Sequence, residues 1–128
     1  MEYLTESELQ IMKCIWEADE QLALSEILRR TNERYNKGWK PQTASTFVSR
    51  LVQKGFLRLN RSVRYYSYEV LIREEDYLER EIQDFADFWG DSVSVKFIGS
   101  LVRKNRISGD DREELVNILQ KGAEAGQD

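Results

Sequence analysis

Pro41 and Gly55 bracket a segment whose two ends are written in backbone chemistry, and that segment fixes what the rest of the chain must build around. Proline suits the first position of a helix, where its missing N–H leaves no bond unmade. Glycine suits the position just past the end, where the chain turns left-handed. Between them Ala44, Phe47, Val48, Leu51 and Val52 recur at helical spacing and form one apolar face. The opposite face carries Gln42, Ser45, Thr46, Ser49, Arg50 and Gln53, side chains that hydrogen-bond and include no acid. Directly after Gly55, Phe56–Ser62 and Val63–Val70 alternate with a rough period of two and favour aliphatic, β-branched and aromatic residues. A hairpin is expected there, turning at Asn60 to Ser62, with a basic tip flanked by Arg58, Arg61 and Arg64.

Two further helices precede this one. Thr5 and Glu8 have capping-box spacing, and Leu9, Met12, Ile15 and Trp16 form a stripe behind them. Ser25 is the expected N-cap of a shorter helix through Ile27, Leu28 and Arg30 to about Tyr35, closed by the loop signal Asn36-Lys37-Gly38. Gln21–Leu24 between them is too short for a helix and is expected to form a brief strand. Three helices followed by a basic hairpin within the first 71 residues make a winged helix-turn-helix, so the fold class is mainly α, or α+β.

From Ile72 the character changes. Arg73 to Asp91 hold two basic and eight acidic residues, with Tyr77, Leu78, Ile82, Phe85, Phe88 and Trp89 on a helical stripe. After the break at Gly90-Asp91-Ser92, a second apolar segment contains Val93, Val95, Phe97, Ile98, Leu101 and Val102. Past Ser108-Gly109 a third helix is marked by Leu115, Val116, Ile118 and Leu119, its N-terminal end rich in Asp110, Asp111, Glu113 and Glu114, where the helix dipole favours acids. The reading is therefore a DNA-binding domain over 1–71, a helical dimerisation domain over 72–121, and a flexible tail over 122–128. Three short helices cannot hide this much apolar surface alone. Pairing with a second copy solves the problem through Tyr77, Leu78, Ile82, Phe85, Phe97, Ile98, Leu101, Leu115, Ile118 and Leu119. Packing back onto the N-terminal domain, or docking onto a different protein chain, are the alternatives.

Charge points to the partner. Arg29 to Arg64 hold ten Lys or Arg against one acid, Glu33, a local balance of +9 in a chain whose net charge is −4. Such segregation suits a polyanion-binding face on an otherwise acidic protein. A helix fits the DNA major groove, where base edges display distinct donors and acceptors. Gln42, Thr43, Ser45 and Thr46 sit at the N-terminal end of the third helix, the end that reads bases in this motif, with Arg50 a turn further along and Lys54 at its close. Arg61 and Arg64 on the wing would meet phosphates or the minor groove, supplying salt-sensitive affinity.

Much chemistry is excluded. The chain has no histidine and one cysteine, Cys14, which reads as a buried structural thiol. Zinc sites and histidine-based triads are thus closed off, no cofactor or metal is expected, and no nucleophile, base and orienting group can be assembled into an active site. No apolar run approaches a membrane span and no secretory signal is recognisable, so the protein is expected in the cytoplasm.

Leu4–Met12 with Ile15-Trp16, Trp39–Thr43 with Arg50–Leu57, and Tyr65–Tyr68 together resemble the penicillinase-repressor (BlaI/MecI/CopY) family, over about Leu4 to Leu119. The resemblance implies a homodimeric winged-helix repressor on a dyad-symmetric operator in double-stranded DNA. The contacts carried over are Gln42, Thr43, Ser45, Thr46 and Arg50, with Arg61 and Arg64 from the wing. It also implies a regulatory protease for members that answer β-lactams, which are cut at an Asn-Phe bond; the nearest match here is Ser100-Leu101. The cysteine cluster of copper-responsive members has no counterpart in Gly122–Asp128.

Overall fold

Helix α1 (Glu6–Trp16) starts where its cap chemistry dictates: the Thr5 side chain accepts from the Glu8 N–H at 3.3 Å while the Glu8 carboxylate accepts from the Thr5 N–H at 2.8 Å. This computed structural model describes residues 1–62 and 64–125. Val63, in the expected hairpin, and Gly126–Asp128, in the expected tail, lie outside the described residues. Helix α2 (Leu24–Tyr35) has its cap two residues before the expected one. Ala23 holds the N-cap position without a side-chain bond, and Ser25 lies inside the first turn. At the other end Asn36 takes the left-handed conformation, φ 53°, and ends the helix.

Helix α3 (Pro41–Gln53) has the start that Pro41 requires. Its end is a Schellman turn: Gly55, at φ 83°, donates to Val52 O at 3.1 Å and Phe56 donates to Leu51 O at 3.0 Å. The chain leaves this turn directly into strand β1 (Leu57–Arg61), which pairs antiparallel with β2 (Tyr66–Val70) in the register Leu57↔Val70 to Arg61↔Tyr66. The first strand therefore runs further than expected, and the second, expected over Val63–Val70, is shorter and begins at Tyr66. Asn60 and Arg61 are paired, and the turn falls after them, where Ser62 N–H and Oγ–H both donate to Tyr65 O. Gln21–Leu24 shortens to one bridge, Leu22 to Tyr68, because Leu24 already belongs to α2.

Residues Met1–Arg80 form one compact unit and the chain from Glu81 a second. The core of the first is Ile11, Met12, Ile15, Leu22, Ile27, Val48, Leu51, Phe56, Leu57 and Tyr77. Tyr77 corrects an expectation. Its place on the stripe of helix α4 (Glu74–Trp89) predicts a dimer contact, yet it is buried, its ring 5.7 Å from Phe56 and 5.8 Å from Trp16. Periodicity puts it in line with Leu78 and Ile82, but the opening turns of α4 belong to the first unit and there the stripe closes that unit's core. Cys14 is buried, as a structural thiol would be. The second unit contains the rest of α4, helix α5 (Val93–Arg103) and helix α6 (Gly109–Ala125), whose bounds pass Gly122, the expected start of the tail.

Candidate nucleic-acid interface

The two faces of α3 separate, except that on the apolar stripe Phe47 is half-buried and Val52, expected on the buried face, is exposed. Ala44, Val48 and Leu51 are buried at 1%, 0% and 0%, whereas Gln42, Thr43, Ser45, Thr46, Ser49 and Arg50 are exposed. Core packing thus orients the helix and leaves its polar side outward. The Thr46 hydroxyl donates to Gln42 O at 3.1 Å, so its proton is used within the helix and its oxygen remains as an acceptor. Arg50 has its guanidinium 5.8 Å from the Phe47 ring centre.

The turn into α3 is held by a residue that periodicity does not flag. Asn32 on α2 accepts from the Trp39 N–H at 3.1 Å and donates to Trp39 O at 3.0 Å, clamping both backbone groups of one residue. Trp39 then packs on Phe47, ring centres 5.0 Å apart. The wing is anchored similarly. Gln21 accepts from Asn60 at 2.8 Å and from Ser67 at 3.0 Å, joining the α1–α2 loop to both strands, and the Tyr68 N–H donates to Leu22 O at 3.0 Å.

The basic segment is not one free cationic face. Arg29 and Arg30 share Glu26, Arg29 also pairs with Glu33, Arg34 pairs with Glu17, and Arg58 pairs across the strands with Glu69. Among the described residues, Lys37, Lys40, Arg50, Arg61 and Arg64 form no ion pair. Lys40 is the N-cap of α3, Arg50 lies on its exposed face, Arg61 and Arg64 lie on the wing, and Lys37, in the loop before α3, has its ammonium 5.7 Å from the Trp39 ring centre. Arg61 rests 5.8 Å from the ring centre of Tyr66, its partner in the register, and Arg64 is exposed at the tip. The local +9 therefore overstates the free charge, and structure concentrates what remains at the reading helix and wing.

Lys54, expected to face DNA, is committed elsewhere. Its ammonium donates to Glu8 at 2.7 Å and to Tyr3 O at 2.9 Å, and Glu8 is fully buried. A buried carboxylate needs a counter-charge, and Lys54 is that charge. Burial pushes the Glu8 carboxyl up, but Lys54 and the Thr5 N–H and hydroxyl outweigh it and hold it below its usual value. Bonds from Arg29 and then Arg30 hold Glu26 lower still, at about 2. The Glu8–Lys54 pair eludes sequence reading because nothing local in either stretch signals a partner 46 residues away.

The expected dimer residues are mostly exposed. Leu78, Ile82, Phe85, Phe97, Ile118 and Leu119 are open, and Ile98, Leu101 and Leu115 half-buried between α5 and α6. Among the described residues no group of acids or thiols is arranged to hold a metal ion, and no helix is long and apolar enough to cross a membrane.

Three packed helices, a polar outward α3 and a two-stranded wing define a winged helix-turn-helix protein. The solution structure of the Bacillus licheniformis BlaI monomeric form in complex with the blaP half-operator is similar, with a TM-score of 0.50 and 29% identity over 59% of this chain and 89% of that one. The solution structure of the DNA binding domain of the repressor BlaI matches with a TM-score of 0.50 and 30% identity, over 58% and 87%. At full length, the penicillinase repressor of Bacillus licheniformis is 25% identical over 92% of this chain and 90% of its own. The methicillin resistance regulatory protein MecI of Staphylococcus aureus (strain N315) is 26% identical over 92% and 94%. The penicillinase repressor family profile matches residues 4–121. The chain belongs to the penicillinase repressor family, a family of transcriptional repressors rather than enzymes.

Proposed function

We propose that this protein is a homodimeric repressor acting in the cytoplasm, which reads a dyad-symmetric operator in double-stranded DNA through α3 and steadies itself on the backbone through the wing. The observation that carries this reading is the outward, acid-free face of α3, which carries Arg50 and begins at Lys40, two cations of the basic segment that form no ion pair among the described residues. Gln42, Thr43, Ser45 and Thr46 would meet base edges, Arg50 a guanine or a phosphate, and Arg61 and Arg64 the backbone. Lys54 leaves the contact set because its charge already serves Glu8. Membership of a repressor family and likeness to a relative solved on a half-operator support the same conclusion.

Pairing two copies rests on Leu78, Ile82, Phe85, Phe97, Ile98, Leu101, Leu115, Ile118 and Leu119, with Tyr77 withdrawn to the core. A regulatory protease cutting Ser100-Leu101 would have to unwind α5 first, since both residues are helical. The test is fluorescence anisotropy with a dyad-containing promoter fragment, alongside light scattering. Salt-dependent binding by a dimer is expected; a monomer that shifts no DNA would overturn the reading in favour of a protein-docking module. Arg50→Ala should cost about 1–3 kcal/mol on the matched site, and an equal loss on every sequence would reassign Arg50 to phosphate.

A further inference from the structure

Met1–Leu4 is held from two directions. Lys54, the C-cap of α3, donates to Tyr3 O at 2.9 Å. From α4, Arg80 donates to Met1 O and, at 2.8 Å, to Glu2 O. Its guanidinium lies 4.1 Å from the ring centre of Tyr3 and 5.0 Å from that of Tyr77. The Leu4 N–H donates to the Tyr77 hydroxyl at 3.3 Å. The Nε of Arg80 is buried without a partner, a cost this arrangement carries. The segment is therefore a strap from the C-terminal end of the reading helix to the opening turns of α4. Arg80 is the last residue of the first unit, and the helix continues beyond it to Trp89.

We propose that Arg80 is a positioning residue for operator binding: with Tyr3 it fixes the direction in which α4 leaves the reading head. This rests on the dimeric, dyad-reading function proposed above. In a two-headed protein, each head's alignment with its half-site depends on how its connecting helix departs, so a loosened strap changes the coupling between heads while each head still binds. Affinity for one half-site should not depend on Arg80. The preference for a correctly spaced pair should, because linkage multiplies affinity only when both sites can be engaged at once.

The dyad is obtained by selection from a random duplex pool with the full wild-type chain. Titrations then use that duplex, a duplex carrying one half-site, and versions with the half-sites moved one or two base pairs apart. The wild type should show a sharp optimum of spacing. Arg80→Ala and Tyr3→Leu should each flatten the optimum and lose about tenfold or more of the dyad's advantage, with half-site affinity within about twofold of wild type. Arg80→Lys, which keeps the charge but not the planar fork, should fall between. Variants that fold and keep the wild-type spacing profile, or that lose half-site and dyad binding in parallel, would overturn the assignment. Tyr3→Leu leaves the Arg80 bonds to backbone carbonyls in place, so it remains informative if Arg80→Ala fails to fold. A wild type that selects no paired sites would instead remove the dyad reading itself.

Discussion

The two units satisfy their apolar side chains in opposite ways. In the first, Ile11, Met12, Val48, Leu51 and Phe56 are completely buried, and Tyr77 closes the core. In the second, no described hydrophobic side chain is fully buried, while Phe88 stands 78% exposed, Trp89 62% and Leu119 64%. Both segments are patterned at helical spacing, so patterning alone does not produce a core; enough layers must meet around it. Three helices and a hairpin supply them in the first unit. Two helices and the end of a third do not in the second. Its aromatic pairs, Phe85 with Phe97 at 5.9 Å and Phe88 with Trp89 at 4.9 Å, make an apolar surface of the kind that marks an association face.

The sharpest way to break this contrast is to truncate one aromatic from each unit. Phe56→Ala should destabilise the first unit by about 3–5 kcal/mol, the transfer and cavity cost of a fully buried ring. Phe88→Ala should change that unit's stability by less than about 0.5 kcal/mol, the usual range for an exposed site. Urea unfolding measures both, and sedimentation shows whether Phe88→Ala shifts the oligomer. Equal costs for the two substitutions would mean that the C-terminal helices pack within their own chain.

A second difference lies in how charge is buried. Glu8 is an ionised group in the core of the first unit, and removing its charge strands Lys54. Glu8→Gln should cost about 2–3 kcal/mol at neutral pH, below the full value for a broken buried pair because Lys54 reaches some solvent. Since the folded-state pKa of Glu8 is lowered, its stabilising contribution is complete above the unfolded value near 4.5 and fades as pH falls through the folded value. Glu26 acts in the same sense, down to about 2. Acid titration followed by circular dichroism should therefore show stability falling from about pH 4.5 downward, less steeply in Glu8→Gln. An identical slope in both proteins would mean that Lys54 protects Glu8 equally in the unfolded chain.

What sequence makes legible divides along the same physical line. Pro41, Gly55, Thr5 and Glu8 announce α3 and α1 because caps are local arrangements between neighbouring backbone groups. The outward face of α3 follows once Ala44, Val48 and Leu51 are seen to share a stripe. Tyr77 escapes such a reading because a stripe names the residues on a face and not what covers it. Lys54 resembles a free cation, and Arg58 a wing contact, because Glu8 and Glu69 reach them only through the tertiary fold. The clamps from Asn32 and Gln21 have the same origin, since neither side chain has a composition or spacing that sets it apart from ordinary surface.

The smallest expected effect concerns helix starts, where α6 of the second unit and α2 of the first differ. In the second, Ser108 caps α6, its hydroxyl oxygen accepting from the Asp111 N–H at 3.1 Å. In the first, Ala23 holds the N-cap of α2 in the extended conformation a cap residue needs, φ −77° and ψ 161°, but with no side chain to accept a bond. Ala23→Ser supplies that oxygen, and Glu26 stands three residues on, where a capping box places its acid. Glu26 is already bonded to Arg29 and Arg30, so the return half of the box should not form. The gain should accordingly be about 0.5–1 kcal/mol, the lower part of the range for a capping side chain, read as a rise in the urea midpoint at unchanged slope. A larger gain would mean that Glu26 gives up its arginines for the backbone N–H at the cap position, and a loss that the half-buried Ala23 site has no room for the hydroxyl.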